Sequence, residues 1–290
     1  MLIDKTYDLL HTQYVDIAAE LSHYSSQFKD KVIYLNCDNA DVSNFWQYFV
    51  SIAEGLGYRR LLCTYYQPNG VAELAEFVLT DHGYKEWRHP LSGDGDFRSK
   101  ECLQFLDEAD VVITHPPYSL FKEYVELLLA KQKQFLILGL TEVVTHQDIF
   151  KYLQSNKFWL GANDTCGTRN GNTLTFHVPE TSQTKSKELQ VPAWWFTNLD
   201  VKNRHVDLLL EEFYSPVLHP VNVNGVLEIE VLSDIPCDYY GVLSVPLLFL
   251  LRYNPDQFEL IGLAMKSKPD ILWMLRHAFE YRVLIRRKFG

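Results

Sequence analysis

Residues 109–124 read ADVVITHPPYSLFKEY, and they place a strand, a stiff turn and a helix one after another. The apolar run at 110–114 predicts a buried strand, and the apolar spacing over 120–130 predicts a helix. Two consecutive prolines, Pro116 and Pro117, cannot continue a strand or lie inside a helix, so they fix the turn between the two elements. The stretch is therefore typical of a strand-to-helix connection in an α/β protein.

The same alternation continues on both sides of this stretch. Outward from it, the sequence predicts further strands at 31–37, 59–65 and 134–139, helices at 43–56 and 99–108, and a hairpin over 75–87. Strands that alternate with helices imply a parallel sheet with right-handed crossovers, and such sheets bind ligands at the carboxyl ends of their strands. The pattern weakens after about residue 140, where 161–172 and 181–187 have the composition of polar loops.

Length and composition narrow the class of protein. The 290 residues suffice for one large domain or two modest ones. Hydrophobic residues at 47% and charged residues at 22% are ordinary for a folded soluble protein and exclude a disordered one. No apolar run reaches the roughly 18 residues of a membrane helix, and no signal-peptide pattern opens the chain. Five cysteines without a CxxC pair argue against a disulfide framework and a zinc knuckle, so we expect a cytoplasmic protein without a metal site.

The charge balance limits the contact with nucleic acid. A formal net charge of −10 argues against a protein that simply coats DNA. The charge is uneven, because residues 206–240 contain seven acids and no lysine or arginine. Removing these seven charges leaves −3 for the remainder, and residues 276–290 carry five basic residues against one acid. Any surface that binds nucleic acid must therefore be confined to a limited part of the protein.

The diproline turn presents three groups at the edge of the predicted sheet. His115 supplies a polar side chain, Pro116 a backbone carbonyl and Tyr118 an aromatic ring. An enzyme needs this set if it accepts two hydrogens from an amino group and stacks on the ring that bears it. The plainer alternative is a loop exit whose tyrosine packs on the surface.

Two further segments have the composition of a small-molecule site. Residues 93–97 (GDGDF) combine glycines, which permit close backbone approach, with an acid that can accept from an adenine amino group and a ring that can cover an adenine face. The alternative is an acidic turn before a helix capped by Ser99. Residues 36–38 (NCD) follow the first predicted strand, where the amino-acid end of a cofactor would lie in a doubly wound sheet. The chain has no GxGxxG loop there, which counts against a dinucleotide.

Taken together, these residues resemble the EcoRI-type adenine-specific DNA methyltransferases. The likeness covers nearly the whole chain in order, through the segments TQYVDIAAELSHY (12–24), VIYLNCDNADVSNFWQYF (32–49), GDGDFRSKECLQFL (93–106), ADVVITHPPYSLFKEY (109–124), FWLGAN (158–163), WFTNLD (195–200) and YNPDQFELIG (253–262). The resemblance implies a Rossmann-like α/β sheet with helices on both faces, a less regular DNA-recognition region and S-adenosylmethionine as the cofactor. Residues 1–140 would form the cofactor-binding and catalytic core, and residues 141–290 the remainder of the sheet with target-recognition insertions.

The resemblance also implies two groups of site residues, matched position by position. Its cofactor-binding positions correspond to Thr12, Gln13, Asn36, Cys37, Asp38, Tyr65, Asp96 and Phe97. Its catalytic tetrapeptide, Asn/Asp-Pro-Pro-Tyr/Phe, corresponds to His115, Pro116, Pro117 and Tyr118. Thr12 and Gln13 match a segment that closes over the methionine end of the cofactor. Tyr65 or Tyr66 ends the second strand, where methyltransferases often carry an acid that holds the ribose hydroxyls.

His115 is the main departure from the family, which has Asn or Asp at this position. The implied mechanism flips a target adenine out of the duplex. A side-chain oxygen and the carbonyl of Pro116 then accept the two amino hydrogens, while Tyr118 stacks on the ring. A neutral imidazole has one acceptor nitrogen and a protonated imidazole has none. Activity is therefore expected to require neutral His115.

Three interpretations of the function stay open on the sequence alone. The leading one is S-adenosylmethionine-dependent methylation of the adenine amino nitrogen at a short defined sequence in double-stranded DNA. The second is an impaired relative that binds DNA or cofactor without efficient turnover, and the third is an enzyme that methylates a protein glutamine or RNA. Residues 194–198 are a candidate DNA-positioning wall, and the basic residues of 282–288 fit either a last strand with a solvated tail or phosphate contacts. A bacterial or phage origin is implied, and a monomer and a companion restriction nuclease are compatible with the sequence.

Overall fold

The computed structural model describes residues 11–162, 173–178, 187–265 and 281–289. These described parts form two compact units. The core unit contains the described residues of Met1–Leu140 and Thr165–Leu199, and the C-terminal unit contains those of Thr141–Asp164 and Asp200–Gly290. That the first 140 residues bind the cofactor and the remainder recognises the target stays a prediction. The sequence features at Asn163, Cys166, Arg276 and in most of 161–172 and 181–187 lie outside the described residues.

Helices and strands alternate through the first part of the chain, as the sequence predicts. The α-helices are α1 (Tyr14–Leu21), α2 (Asn44–Ser51), α3 (Ala53–Leu56), α4 (Lys100–Glu108), α5 (Phe121–Ala130) and α6 (Gln147–Gln154). Short 3-10 turns lie at Ser22–Gln27, Tyr118–Leu120, Thr141–Thr145, Lys202–His205, Leu232–Asp234 and Leu247–Arg252. The strands are β1 (His11–Thr12), β2 (Val32–Leu35), β3 (Arg60–Thr64), β4 (Glu73–Thr80), β5 (Gly83–Pro90), β6 (Val111–Thr114), β7 (Gln134–Leu140), β8 (Trp159–Leu160), β9 (Thr173–Val178), β10 (Lys187–Thr197), β11 (Leu227–Glu228), β12 (Val242–Pro246), β13 (Phe258–Met265) and β14 (Tyr281–Arg287).

The core unit is built on one mixed sheet. Within the described residues its strands follow the order β1-β9-β10-β7-β6-β2-β3-β4-β5. The central strands β7, β6, β2 and β3 are parallel, which confirms the predicted α/β class with crossover helices. The flanking strands are antiparallel: β4 and β5 form the predicted hairpin beside β3, and β10 pairs with β7 on the other side. The parallel strands therefore all direct their carboxyl ends to one edge.

Local sequence explains where the elements of the core begin and end. Every residue of β2 and β6 is buried, as expected for short apolar strands covered on both faces. The hydroxyl of Ser43 accepts from the N–H groups of Phe45 and Trp46, so it caps α2, and Ser99 caps α4 in the same way. The predicted helix at 43–56 is split, because Ile52 leaves the helical conformation between α2 and α3. The left-handed Gly57 then ends α3.

The interpretation of residues 194–198 as a DNA-positioning wall is wrong. These residues lie in and just beyond β10, between β9 and β7 in the core sheet. Trp194, Trp195 and Phe196 are at most 2% exposed, so they pack in the protein core. The side chain of Asn198 is bonded to the backbone of β7 and the residue before it, through the N–H of Phe135 and the carbonyl of Lys133. Aromatic residues of this strand stabilise the sheet and leave no surface for DNA.

The C-terminal unit carries its own sheet, in the order β11-β12-β14-β13. Its strand β14 confirms the predicted last strand. Arg282 on that strand is buried and donates to the carbonyl oxygen of Ser244 at 2.6 Å and to Glu230 at 3.2 Å, so a phosphate contact by Arg282 is excluded. Arg286 and Lys288 are exposed. In neither unit does any described helix combine the length and apolar character required to cross a bilayer.

Candidate active site

A cavity of about 760 Å³ lies in the core unit at the carboxyl ends of β2, β3 and β6. This is the edge at which a parallel sheet is expected to bind ligands. Nine of the twelve predicted site residues line it: Thr12, Asn36, Cys37, Asp38, Tyr65, Asp96, Phe97, His115 and Pro117. Thr12 and His115, which are 103 positions apart in the sequence, therefore share one space. The wall also includes residues at the start of α2, from Val42 to Phe45, which the sequence did not predict as site residues. The other lining residues are His11, Asn39, Tyr66, Gly95, Arg98, Ser119 and Leu120.

The remaining three predicted residues lie behind or beside the wall. Gln13 precedes α1 as its N-cap residue and does not line the cavity. Pro116 is buried in the turn. Tyr118 is only 1% exposed, and its ring stands edge-on to the ring of His115 with 4.7 Å between the centroids. Tyr118 is not part of the cavity lining, and its ring packs against His115. Stacking of Tyr118 on a substrate ring stays a prediction.

Asp38 is the acidic group at the end of β2. Its carboxylate accepts from Ser43 Oγ at 2.8 Å, from Thr114 Oγ1 at 2.5 Å and from the backbone N–H of His115. Burial raises the pKa of Asp38 to about 6, although these three hydrogen bonds favour the charged form and oppose the rise. The group is therefore mainly ionised at neutral pH, and it places a negative charge beside the cavity. A cationic ligand would be attracted to it.

Asn36 presents a buried hydrogen-bond donor to the cavity wall. Its side chain is 1% exposed, and its oxygen Oδ1 accepts from the hydroxyl of Tyr124. Its amide nitrogen Nδ2 has no hydrogen-bond partner among the described residues. A buried donor without a partner costs roughly 1–3 kcal/mol, so the site gains when a ligand supplies an acceptor there. Because Asn36 lines the cavity, this nitrogen is a candidate donor to a ligand bound there.

The loop at 93–97 reaches the same cavity from the other side. Gly95 has φ of +76°, and a Cβ at this position would collide with the carbonyl oxygen of Tyr65. Asp96 forms a two-point ion pair with Arg98, at 2.6 and 2.9 Å, which holds the pKa of Asp96 below its usual value. The Arg98 guanidinium also lies 5.2 Å from the centre of the Phe97 ring. Arg98 was missed by the sequence analysis, and its position directly after Asp96 and Phe97 was the signal.

Within the described part of the chain, the side chain of His115 contacts Thr12, Tyr118 and Phe176, and its backbone N–H donates to Asp38. Its Nδ1 lies 3.3 Å from Thr12 Oγ1, and the centre of the Phe176 ring lies 5.5 Å from that of the His115 ring. The carbonyl of Thr12 accepts from Asn44 Nδ2 at 2.7 Å, which fixes the strand that carries the threonine. The sequence analysis assigned Thr12 to the cofactor only. Phe176 had no sequence signal, because it comes from β9 far along the chain.

Among the described residues, no group of three or more His, Cys, Asp or Glu side chains is arranged to hold a metal ion. The described cysteines Cys37, Cys63, Cys102 and Cys237 are free thiols. Burial raises the pKa of the Cys37 thiol well above its usual value, which keeps it protonated and weakly nucleophilic. The polar groups of the cavity are therefore carboxylates, amides, hydroxyls, the Arg98 guanidinium and the imidazoles of His11 and His115, beside several aromatic rings.

Comparison with known proteins identifies the type of enzyme that carries this cavity. Residues 4–280 match the family described as "Adenine-specific methyltransferase EcoRI". The chain belongs to this family. The family inferred from the sequence is thus confirmed, and the chain is an adenine-specific methyltransferase.

Three relatives of this methyltransferase have a similar length and the same degree of identity. The chain is 34% identical to the Type II methyltransferase M.EcoRI of Escherichia coli, an alignment that covers 97% of this chain and 93% of that protein. It is 34% identical to the Type II methyltransferase M.MpnI of Mycoplasma pneumoniae, over 87% of this chain and 81% of the relative. The match to the Type II methyltransferase M.MgeORF184P of Mycoplasma genitalium is also 34%, over 85% and 80%.

Proposed function

We propose that this methyltransferase transfers a methyl group from S-adenosylmethionine to the exocyclic amino nitrogen of adenine at a defined sequence in double-stranded DNA. One observation carries the proposal: a single cavity is lined both by residues 36–38 and 96–97 and by His115. A methyl transfer requires donor and acceptor to meet in one space with their reacting atoms aligned. The cavity volume, about 760 Å³, lies within the roughly 300–1,000 Å³ usual for small-molecule sites.

The residues around the cavity suit S-adenosylmethionine. The cofactor carries positive charge on its sulfonium and amino groups, and Asp38 supplies a negative charge. The orphaned Nδ2 of Asn36 offers a donor to a cofactor oxygen. The absence of a Cβ at Gly95 lets the 93–97 loop pack against the carbonyl of Tyr65, and this packing places Gly95, Asp96 and Phe97 in the cavity lining.

We assign the cofactor contacts along the cavity in the order implied by the family. Thr12 would face the methionine end, residues 36–38 (Asn36, Cys37, Asp38) the middle, and the hydroxyl of Tyr65 the ribose. Gln13 lies outside the cavity lining and is assigned no contact. Asp96 would accept from the adenine amino group and Phe97 would cover the adenine face. Asp96 retains acceptor capacity for this contact, because a carboxylate offers about four lone-pair sites and the side chain and backbone N–H of Arg98 use three.

The catalytic groups act on the amino nitrogen of the target adenine. Bound in the cavity, S-adenosylmethionine supplies an electrophilic methyl group on a sulfonium sulfur. His115 and, as the family pattern implies, the carbonyl of Pro116 would accept hydrogen bonds from the two amino hydrogens, which aims the nitrogen lone pair and raises its electron density. Once the nitrogen carries the methyl group it must lose one proton, and the neutral imidazole of His115 would take it. Pro117 keeps the turn stiff, and Tyr118 braces the imidazole. A protonated His115 would have no acceptor nitrogen and would repel the cationic methyl donor, so the neutral form is the active one.

We infer that double-stranded DNA is the macromolecular partner and that the target base is flipped out of the stack to reach the cavity. A monomer acting in the cytoplasm of a bacterial or phage-infected cell is the simplest arrangement for this substrate. A companion restriction nuclease stays a prediction.

The test is methylation of plasmid DNA in cells that express the protein. Long-read sequencing should find N6-methyladenine at one short recurring sequence with the wild type and none with His115→Phe. Methylation scattered over RNA or on a protein glutamine, with unmodified DNA, would contradict the proposal.

A binding measurement separates the proposed enzyme from an impaired relative, which the replacement of Asn or Asp by His115 makes the second candidate. Calorimetry with S-adenosylmethionine and the purified chain should show binding in both cases. Binding without methyladenine on any DNA, with purified protein at pH 8, would favour the impaired relative.

A further inference from the structure

The contact between Thr12 and His115 has a consequence for the chemistry of the imidazole. A neutral imidazole carries one N–H group and one lone pair, and the hydrogen bond made by one nitrogen decides which role remains for the other. Thr12 Oγ1 lies 3.3 Å from Nδ1 of His115. A threonine hydroxyl can accept or donate, so two tautomers fit this distance.

Only one of these tautomers suits the proposed reaction. If Thr12 donates to Nδ1, the imidazole proton is on Nε2, and the ring offers a donor where an amino group needs an acceptor. If Thr12 accepts from Nδ1–H, the lone pair is on Nε2 and can accept an amino hydrogen. The Asn or Asp of the family has no such ambiguity, because a carbonyl or carboxylate oxygen is always an acceptor. A histidine at position 115 therefore needs a partner that sets its tautomer.

We propose that Thr12 is a positioning residue that accepts the Nδ1 proton of His115 and so makes Nε2 the acceptor for the adenine amino group. This inference rests on the proposed function and identifies the feature that adapts the site to histidine. It assigns to Thr12 a role through His115 rather than a role in holding the cofactor alone.

The surroundings of Thr12 give it the rigidity that this role requires. Thr12 is 4% exposed, and β1 pairs with β9 so that Thr12 lies opposite Phe176 in the register. Its carbonyl is held by Asn44. The rings of Tyr118 and Phe176 in turn hold the imidazole plane. Thus both partners of the hydrogen bond are fixed by independent contacts.

The direct test reads the tautomer by NMR. Full-length protein labelled with ¹⁵N-histidine is recorded at pH 8, where imidazoles are neutral, and His115→Asn identifies the signals of His115. We expect the wild type to show the proton on Nδ1. Thr12→Val, which removes the hydroxyl and keeps the shape, should shift the population toward Nε2–H, and Thr12→Ser should restore the wild-type pattern. Thr80→Val, in the β4–β5 hairpin, is the matched control and should change nothing.

An activity measurement accompanies the spectra. At saturating cofactor and DNA, Thr12→Val should lower the single-turnover rate roughly tenfold, and Thr12→Ser, which restores the hydroxyl, should recover most of that loss. A wild-type spectrum with the proton on Nε2, or a tautomer unchanged in Thr12→Val, would overturn the proposal. If the wild type methylates nothing, the proposed function fails, while the spectra still decide the tautomer.

Discussion

The ends of β2 and β6 lie side by side, because the two strands pair in parallel, yet they carry opposite chemistry. Beyond β2, Asp38 is a carboxylate held by hydroxyl and N–H donors. Beyond β6, His115 is a ring held by the Thr12 hydroxyl and by two aromatic rings. The first end offers a charge, and the second offers an acceptor that works only while it is uncharged.

This difference predicts which property each end controls. Charge attraction acts over several ångströms, so Asp38 can favour a cationic cofactor without touching it. A hydrogen-bond acceptor acts only within about 3 Å of its donor, so His115 matters when the target amino group is in place. Changes beyond β2 should therefore alter cofactor affinity, and changes beyond β6 should alter the rate. The two ends meet at Thr114, which donates to Asp38 and directly precedes His115.

The largest effect is expected at the β6 end. His115→Phe keeps an aromatic ring and removes the acceptor nitrogen, so the single-turnover rate should fall by about 100-fold to 1,000-fold. Calorimetry should find the Kd for S-adenosylmethionine within about twofold of the wild type, because the acceptor acts on the target and not on the cofactor. His23→Asn, at an exposed histidine, is the control. If His115→Phe also lost cofactor affinity tenfold, the assignment of affinity to the β2 end and of rate to the β6 end would be wrong.

A large effect on affinity is expected where the cofactor loop approaches β3. Gly95→Ala meets both a positive φ and the carbonyl oxygen of Tyr65, so the 93–97 loop must shift. Gly83→Ala is the matched control, because Gly83 has φ of +89° and open space around it. We expect Gly95→Ala to weaken cofactor binding about 30-fold and to lower the unfolding free energy by about 2–3 kcal/mol, against about 1 kcal/mol for Gly83→Ala.

Calorimetry and urea unfolding measure both quantities for the two glycine variants. Equal losses in the two variants would mean that the conformation alone matters and that the loop does not need its close approach to Tyr65.

Much of the core could be predicted because its signals are local. A few adjacent residues are enough to predict the apolar strands β2 and β6, the serine caps of α2 and α4, and the hairpin. Because parallel strands direct their carboxyl ends to the same edge of a sheet, Asp38 and His115 are then expected at one edge. The split of the 43–56 helix at Ile52 carries no such signal.

Long-range pairing accounts for what the sequence analysis missed. β10 joins the sheet beside β7, and its apolar run was mistaken for a surface because nothing nearby in the sequence shows that neighbour. The contact between Thr12 and His115 likewise depends on the pairing of β1 with β9. The pattern of a methyltransferase site located Thr12 at the cavity, but only the packing shows that its hydroxyl reaches the catalytic ring.

A pH titration of cofactor binding probes the β2 end. The pKa of Asp38 is raised to about 6 by burial, so its charge is present above that pH and is lost as the pH falls through it. Affinity for the cationic cofactor should therefore be about tenfold weaker at pH 5 than at pH 8, measured by calorimetry at constant ionic strength. Asp38→Asn should bind weakly at both values.

The His115→Phe variant separates this titration from that of the imidazole. It should retain the full pH dependence of cofactor binding, since Asp38 is unchanged. If cofactor affinity did not depend on pH in His115→Phe, the pH dependence of the wild type would come from His115. The ends of β2 and β6 would then both control cofactor binding.

The smallest effect is expected from the ion pair that holds Asp96. The Arg98 side chain is 46% exposed, and exposed ion pairs contribute only about 0.2–1 kcal/mol, so Arg98→Ala should weaken cofactor binding about threefold. Arg88→Ala is matched to it, because Arg88 is 33% exposed, also forms two ion pairs and lies outside the cavity lining. Arg88→Ala should leave the Kd unchanged. Since the expected loss comes from a less well oriented Asp96, raising the salt concentration should shrink it. A loss of affinity that persists in high salt would instead show that Arg98 acts by packing on the Phe97 ring, and so by positioning Phe97 against the cofactor.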